Sequence, residues 1–167
     1  MTGFEVMYLQ KDIKAVNKTS RGSGAVGTKA LVPRYVMENV NTDKTVLDFG
    51  AGKQAVHSKR LSEKGYKVVA FDFGDNQTDF HNDNALDETY NVIMLSNVLN
   101  VQQSLDMLNN TLIDVNKAMD SNTSIYANYP TSPRYLGVSK KELKEQLNSL
   151  GFSVTDATKD VMEIKRK

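Results

Sequence analysis

Apolar residues recur along this chain in two rhythms, short β-prone runs and longer stretches with a helical repeat. VLDF at 46–49, KVVAF at 67–71, VIML at 92–95, SIYAN at 124–128, SVTD at 153–156 and VMEI at 161–164 read as strands. Helical spacing is present at 33–39 and at 55–64, where Gly65 stands in the C-terminal cap position. It is clearest at 104–119, where Leu105, Leu108, Leu112, Val115 and Met119 recur on one face. Ser139 with Glu142 forms a capping-box pattern, which predicts a last helix over 140–150 ending at Gly151. Strands alternating with helices indicate an α/β unit. Only about eighteen residues separate Asp72 from Tyr90, too few for a helix plus a strand, so this stretch is expected to be trimmed or irregular. The chain shows no internal repeat and no low-complexity tract.

The segment TVLDFGAGKQAVHSKRLSEKGYKVVAFD at 45–72 carries the strongest chemical signal, because it reads as strand, glycine turn, helix and strand with an acid closing each strand. Gly50 and Gly52 fall where a tight turn must let backbone approach a ligand. Asp72 stands about twenty residues after Gly52, the spacing at which a carboxylate accepts hydrogen bonds from a ribose diol. Two cofactor classes use this layout. A dinucleotide needs bare amides at the helix N-terminus with no adjacent negative charge, but here Asp48 precedes the first glycine. That carboxylate disfavours a pyrophosphate and suits a cationic amino-acid moiety.

With an acidic residue followed by alternating glycines, Asp48, Gly50 and Gly52, the segment resembles the first motif of the class I S-adenosylmethionine-dependent methyltransferases. Gln54 replaces the family's usual third glycine, so the turn enters its helix differently. Asp72 matches the ribose-binding acid, and HNDNALD is similar to the loop in which a polar side chain meets the adenine amine. YNVIMLSNVLNV resembles the family's fourth strand with its following loop. The likeness runs from Thr45 to the C-terminus, and SNVLNVQ with NYPTSPR is similar to small bacteriophage-encoded members. It implies a reduced Rossmann-like fold, with a mostly parallel sheet, helices on both faces and an antiparallel strand near the C-terminus. It also implies S-adenosylmethionine as cofactor and S-adenosylhomocysteine as product, held by Asp48, Gly50, Gly52, Asp72, Phe73, Asp83, Asn84 and Ser96.

Composition sets only bounds. With 167 residues, 40% hydrophobic and 25% charged, the chain fits one domain with a well-buried sheet. A net charge of +1 singles out neither nucleic acid nor an acidic partner, and the absence of tryptophan argues mildly against a broad base-stacking platform. Without cysteine there is no disulfide framework or thiolate zinc site, and no metal is expected. No apolar segment reaches membrane-spanning length and the N-terminus lacks a signal peptide's core, so a cytoplasmic location is expected, in the host for a viral chain. Residues 1–40 read as an N-terminal extension and 41–167 as the methyltransferase-like domain. Within the extension NKTSRGSGAVGTK, with three glycines, two serines, Lys18, Arg21 and Lys29, is expected to order on binding and to act with TSPRY as a lid and substrate clamp.

Open α/β sheets place ligands beyond the C-terminal ends of their strands. Asn97 and Asn100 follow a strand there, and an amide can read an amine or amide edge on both sides. Methyltransferases acting on base amino groups carry Asn or Asp, two prolines and an aromatic at this place; SNVL lacks that pattern. Tyr129 and Arg134 in NYPTSPR, with Arg21 and Arg34 upstream, are further candidates for an anionic or nucleotide-like acceptor, Arg34 serving only in the phosphate or carboxylate grouping. Pro130 and Pro133 stiffen that loop. His57, on the first helix after the glycine turn, reads as a surface or packing residue rather than a catalyst, His81 beside the cofactor loop carries no assigned role, and no general base stands out. Three functions compete: a methyltransferase, a non-catalytic or cofactor-depleting S-adenosylmethionine binder, and a nicotinamide dinucleotide oxidoreductase, against which Asp48 speaks.

Overall fold

The computed structural model describes residues 13–14, 30–130 and 136–167. Strands form at β1 (Thr45–Phe49), β2 (Lys67–Phe71), β3 (Val92–Leu95), β4 (Ser124–Ala127), β5 (Phe152–Asp156) and β6 (Met162–Arg166). They make one six-stranded sheet in the order β2-β1-β3-β4-β6-β5. The first four run parallel, whereas β6 is antiparallel to both β4 and β5. The last strand reaches two residues beyond the sequence expectation, because pairing of Phe152 with Arg166 carries the ladder past the apolar pattern.

Helices α1 (Leu31–Asn39), α2 (Val56–Glu63), α3 (Leu105–Lys117) and α4 (Lys140–Ser149) cover the two faces. Side chains alternate sides along a strand, so Leu47, Phe49, Ile93, Leu95 and Ile125 pack with Leu108, Leu112 and Val115 of α3 and with Leu143 and Leu147 of α4. Val46, Val92 and Met94 point the other way and pack with Val32 and Val36 of α1 and Leu61 of α2. The α4 capping box forms as expected, with Ser139 accepting from the Glu142 N–H and Glu142 returning a bond to Ser139. The α3 stripe departs at its ends: Leu105, in the first turn, is exposed, and Met119 is buried past the helix terminus.

Between β2 and β3 the described chain forms two short 3-10 turns, Gly74–Asn76 and Ala85–Asp87, with no added strand. The Asn82 N–H donates to the Ala70 carbonyl (2.9 Å), which ties this loop to the free side of β2. Because β2 and β3 flank β1 on opposite sides, the connections leaving β1 and β3 diverge. A crevice at such a switch point lies beyond the C-terminal ends of these strands. The basic loop 17–29 and the TSPRY segment 131–135 lie outside the described residues. Among the described residues no helix is long and apolar enough to cross a membrane.

Candidate functional site

At the end of β1 the chain makes two left-handed steps, Gly50 at φ +75° and Gly52 at φ +81°, which only glycine adopts without strain. The Gly50 and Ala51 N–H groups donate to the Phe71 carbonyl (2.8 and 3.0 Å), bending the turn over the end of β2. The two glycines meet different surroundings. A Cβ on Gly50 would stand 2.7 Å from Val98 Cγ2, whereas one on Gly52 would meet nothing within 4 Å. Gly50 is therefore required by packing, and Gly52 keeps a backbone face open. Gln54 is exposed, and it is Ala55 that turns the chain into α2, in left-handed conformation (φ +46°) with its methyl among Ala51 and Ala70.

Two carboxylates bracket this turn. Asp72 accepts from the Gly52 N–H at 2.7 Å through Oδ2 and from the Phe73 N–H at 2.7 Å through Oδ1. Its own N–H donates to Gln77 Oε1, which leaves Gln77 Nε2 to reach Asp83. Asp48, on the α1–α2 side of the sheet, is 1% exposed and accepts from the Ser58 hydroxyl of α2 (2.7 Å). Burial pushes the Asp48 carboxyl up from 3.8 to about 6, the nearby Asp72 charge adding to the effect and the Ser58 hydrogen bonds opposing it. Burial also raises Asp72, against the hydrogen bonds from Phe73 and Gly52, the nearby His81 and the Asn76 side chain. Among the described residues neither acid joins an ion pair. A cation at this turn would offset the part of the burial cost that these hydrogen bonds and His81 leave standing.

His81 completes the turn's frame. The Thr78 N–H donates to His81 Nδ1 (3.1 Å), so in the neutral ring Nε2 carries the hydrogen and donates to the Gly52 carbonyl at 2.8 Å. The Gly52 residue is thus held on its N–H side by Asp72 and on its carbonyl side by His81.

Across the crevice, β3 is followed by Ser96 and Asn97, the latter left-handed at φ +53°. This conformation is stabilised by Asn128, which follows β4 and bonds both the N–H and Oδ1 of Asn97 (2.7 and 2.9 Å). Among the described residues Ser96 Oγ and Asn100 Oδ1 are buried without a hydrogen-bond partner.

No family model and no curated protein matches the chain. Solved structures do. A TehB-like S-adenosylmethionine-dependent methyltransferase from Corynebacterium glutamicum aligns with 95% of this chain and 100% of its own, at TM-score 0.63 and 14% identity. The fold is that of S-adenosylmethionine-dependent methyltransferases. The 1,6-didemethyltoxoflavin-N1-methyltransferase of Burkholderia thailandensis, holding 1,6-didemethyltoxoflavin and S-adenosylhomocysteine, aligns over 96% of this chain and 91% of its own (TM-score 0.62, 15% identity). Magnesium protoporphyrin IX methyltransferase from Synechocystis PCC 6803 with bound S-adenosylmethionine aligns over 99% and 86% (TM-score 0.60, 16% identity).

The methyltransferase fold brings Asp48, Gly50, Gly52 and Asp72 together at the first turn, and the Ser96–Asn100 loop reaches them through the contact of Val98 with Gly50. Phe73 packs edge-on against Phe49 and Phe71 (5.7 and 5.0 Å between ring centres). Asp83 and Asn84 lie exposed on the loop tied to β2. Tyr129 is buried, and its hydroxyl donates to the Val138 carbonyl (2.6 Å). Arg34 is exposed on α1 and His57 is buried on α2, while Arg21 and Arg134 lie outside the described residues. Sequence reasoning missed Ser58, Asn128 and Val98 and gave His81 no role. Only Asn128 carried a signal, as the polar residue next to a strand end in NYPTSPR.

A groove of about 570 Å³ lined by Asn109, Leu112, Ile113, Asn116, Leu150 and Phe152 lies elsewhere, against the C-terminal part of α3 and the start of β5. The Tyr90 N–H bond to the Ala118 carbonyl puts that end of α3 near the start of β3, opposite the crevice.

Proposed function

We propose that this protein is an S-adenosylmethionine-dependent methyltransferase whose cofactor lies across the glycine turn of β1 and the end of β2. The observation that carries the reading is the buried carboxylate pair, Asp48 and Asp72, which flanks an open glycine backbone and joins no ion pair among the described residues. The cofactor supplies a methyl group already activated by its sulfonium charge. Asp72 binds the ribose diol, with one oxygen of its carboxylate on the Gly52 N–H and the other on Phe73, each keeping lone pairs for a hydroxyl. Asp48 favours the amino-acid ammonium at short range. The open face of Gly52 accommodates the cofactor's backbone-facing side. Phe73, Asp83 and Asn84 border the adenine, and Ser96 closes the site from β3.

Asn97 and Asn100 face the acceptor, with Tyr129, Arg21 and Arg134 as further acceptor contacts. What remains for the protein is to position an in-line nucleophile and exclude water. Calorimetry with S-adenosylmethionine, S-adenosylhomocysteine and NAD tests the reading, followed by a labelled-methyl assay on nucleic-acid, protein and small-molecule extracts. Saturable binding of the first two with label transfer is expected. Binding of NAD alone would establish the oxidoreductase alternative, and binding without transfer the non-catalytic one.

A further inference from the structure

Three amide side chains at the ends of β3 and β4 take their orientation from one backbone group. The Asn97 N–H donates to Asn128 Oδ1, so Asn128 presents Nδ2 to Asn97 Oδ1. Asn97 Oδ1 is thereby an acceptor, and Asn100 meets it with Nδ2 at 3.3 Å. The sequence of bonds leaves one oxygen over. Among the described residues Asn100 Oδ1 is buried with no hydrogen-bond partner, as is Ser96 Oγ at the start of the same loop. A buried carbonyl oxygen left unmatched is costly, so these atoms mark a place for a donor on a ligand. Val98, between them, packs on Gly50, which sets the loop beside the cofactor turn.

The titratable side chains at the neighbouring strand ends make bonds of their own. Asp48 is engaged by Ser58, Asp72 by Gly52 and Phe73, His81 through both ring nitrogens, and Tyr129 by Val138. Among the described residues none of these groups bonds Ser96 or Asn100, so this loop brings no base of its own for an alcohol or an alkylammonium, either of which must lose a proton before it attacks. A carboxylate or thiolate needs no base, but it has no hydrogen to give Asn100 Oδ1 and would face two buried acids. A conjugated amino group is neutral at physiological pH and donates N–H.

On the methyltransferase reading, we infer that the acceptor presents a neutral conjugated amino nitrogen, an arylamine or the exocyclic amine of a heteroaromatic ring, whose N–H is held by Asn100 Oδ1 beside Ser96 Oγ. The nitrogen lone pair forms the N–C bond while the electron pair of the C–S bond returns to sulfur, giving S-adenosylhomocysteine. The nitrogen becomes cationic and then releases a proton to solvent. Asn100 Oδ1, fixed by the Asn128–Asn97 chain, stabilises the positive charge that grows on that N–H.

The test uses the full chain with S-adenosylmethionine labelled with ¹³C in the methyl group, added to bacterial nucleic-acid and small-molecule extracts. The carbon shift of the product distinguishes methyl groups on nitrogen, oxygen and sulfur. A methyl on a conjugated nitrogen is expected; an O-methyl, S-methyl, ester or alkylamine product overturns the inference, as does no product from a chain that binds S-adenosylmethionine in calorimetry. A chain that does not bind it overturns the methyltransferase reading as well. Asn100→Leu should keep S-adenosylmethionine affinity within about threefold while transfer falls about 10- to 100-fold; Asn100→Ala carries the same comparison if the leucine variant does not fold. The Asn100 side-chain amide resonance, identified by its loss in the variant, should move when the acceptor joins the S-adenosylhomocysteine complex. Undiminished transfer by a folded Asn100 variant, or an unmoved resonance, would overturn the assignment.

Discussion

Replacing Asp48 by asparagine separates the cost of this carboxylate from its use. In the free protein burial lifts its pKa from 3.8 to about 6. A folded-state value above the unfolded one means that the native protein binds more protons between these limits, so the stability owed to this group falls as pH rises through about 4 to 6 and levels off above. Integrated from pH 4 to pH 7, the loss is about 2 kcal/mol. Asparagine has no charge to desolvate, and its carbonyl still accepts from Ser58. It brings an amide N–H₂ whose burial carries its own penalty, but that penalty does not vary with pH. The expected outcome is therefore a difference: the stability of Asp48→Asn relative to wild type rises by about 2 kcal/mol between pH 4 and pH 7. Urea titrations of the cofactor-free proteins across this range measure it. Calorimetry at pH 7 should show weaker S-adenosylmethionine binding by the variant that has gained relative stability. A stability gap independent of pH would refute the electrostatic argument, and unchanged affinity would refute the role of Asp48 beside the cofactor.

Asp72→Ala should leave the fold intact and weaken S-adenosylmethionine by about 2 kcal/mol in calorimetry, the order for losing charge-assisted hydrogen bonds. Gly50→Ala should cost more stability than Gly52→Ala in thermal unfolding. Both pay about 1–2 kcal/mol for a left-handed side chain, and only the first also drives a methyl into Val98. Gly52→Val should instead be read in cofactor affinity, since its side chain occupies the open face. Ser139→Ala removes the α4 capping bond and should lower stability by about 1 kcal/mol with cofactor affinity unchanged.

Much of this architecture could be read from local pattern. Leu47, Phe49, Ile93 and Leu95 belong to runs short enough to be strands, and Ser139 with Glu142 names a helix start without any tertiary information. The first turn was legible for the same reason: acid, glycine, glycine and a second acid at fixed spacing are a local signature of a nucleoside site. What escaped were bonds between distant segments. Ser58 meets Asp48 only because α2 folds back over β1. Asn128 fixes Asn97 across 31 positions of sequence, and His81 reaches Gly52 across 29; no periodicity encodes such pairs. The requirement for glycine at position 50 was visible, but its cause, the methyl of Val98, belongs to a loop that the sequence places far away. The exposure of Leu105 likewise follows from where α3 begins relative to the sheet, which a helical repeat does not contain.

On the proposed reading the turn between β1 and α2, with the ends of β2 and β3, holds the cofactor. A titration of isotopically labelled protein with S-adenosylhomocysteine, followed through backbone amide resonances, tests it most directly. The largest shifts should fall on Gly50, Gly52, Asp72, Phe73 and Ser96, and the Asn109 and Leu150 amides of the distant groove should stay in place. Shifts centred on that groove would place the cofactor there instead, and none at saturating ligand would mean that the protein does not bind it.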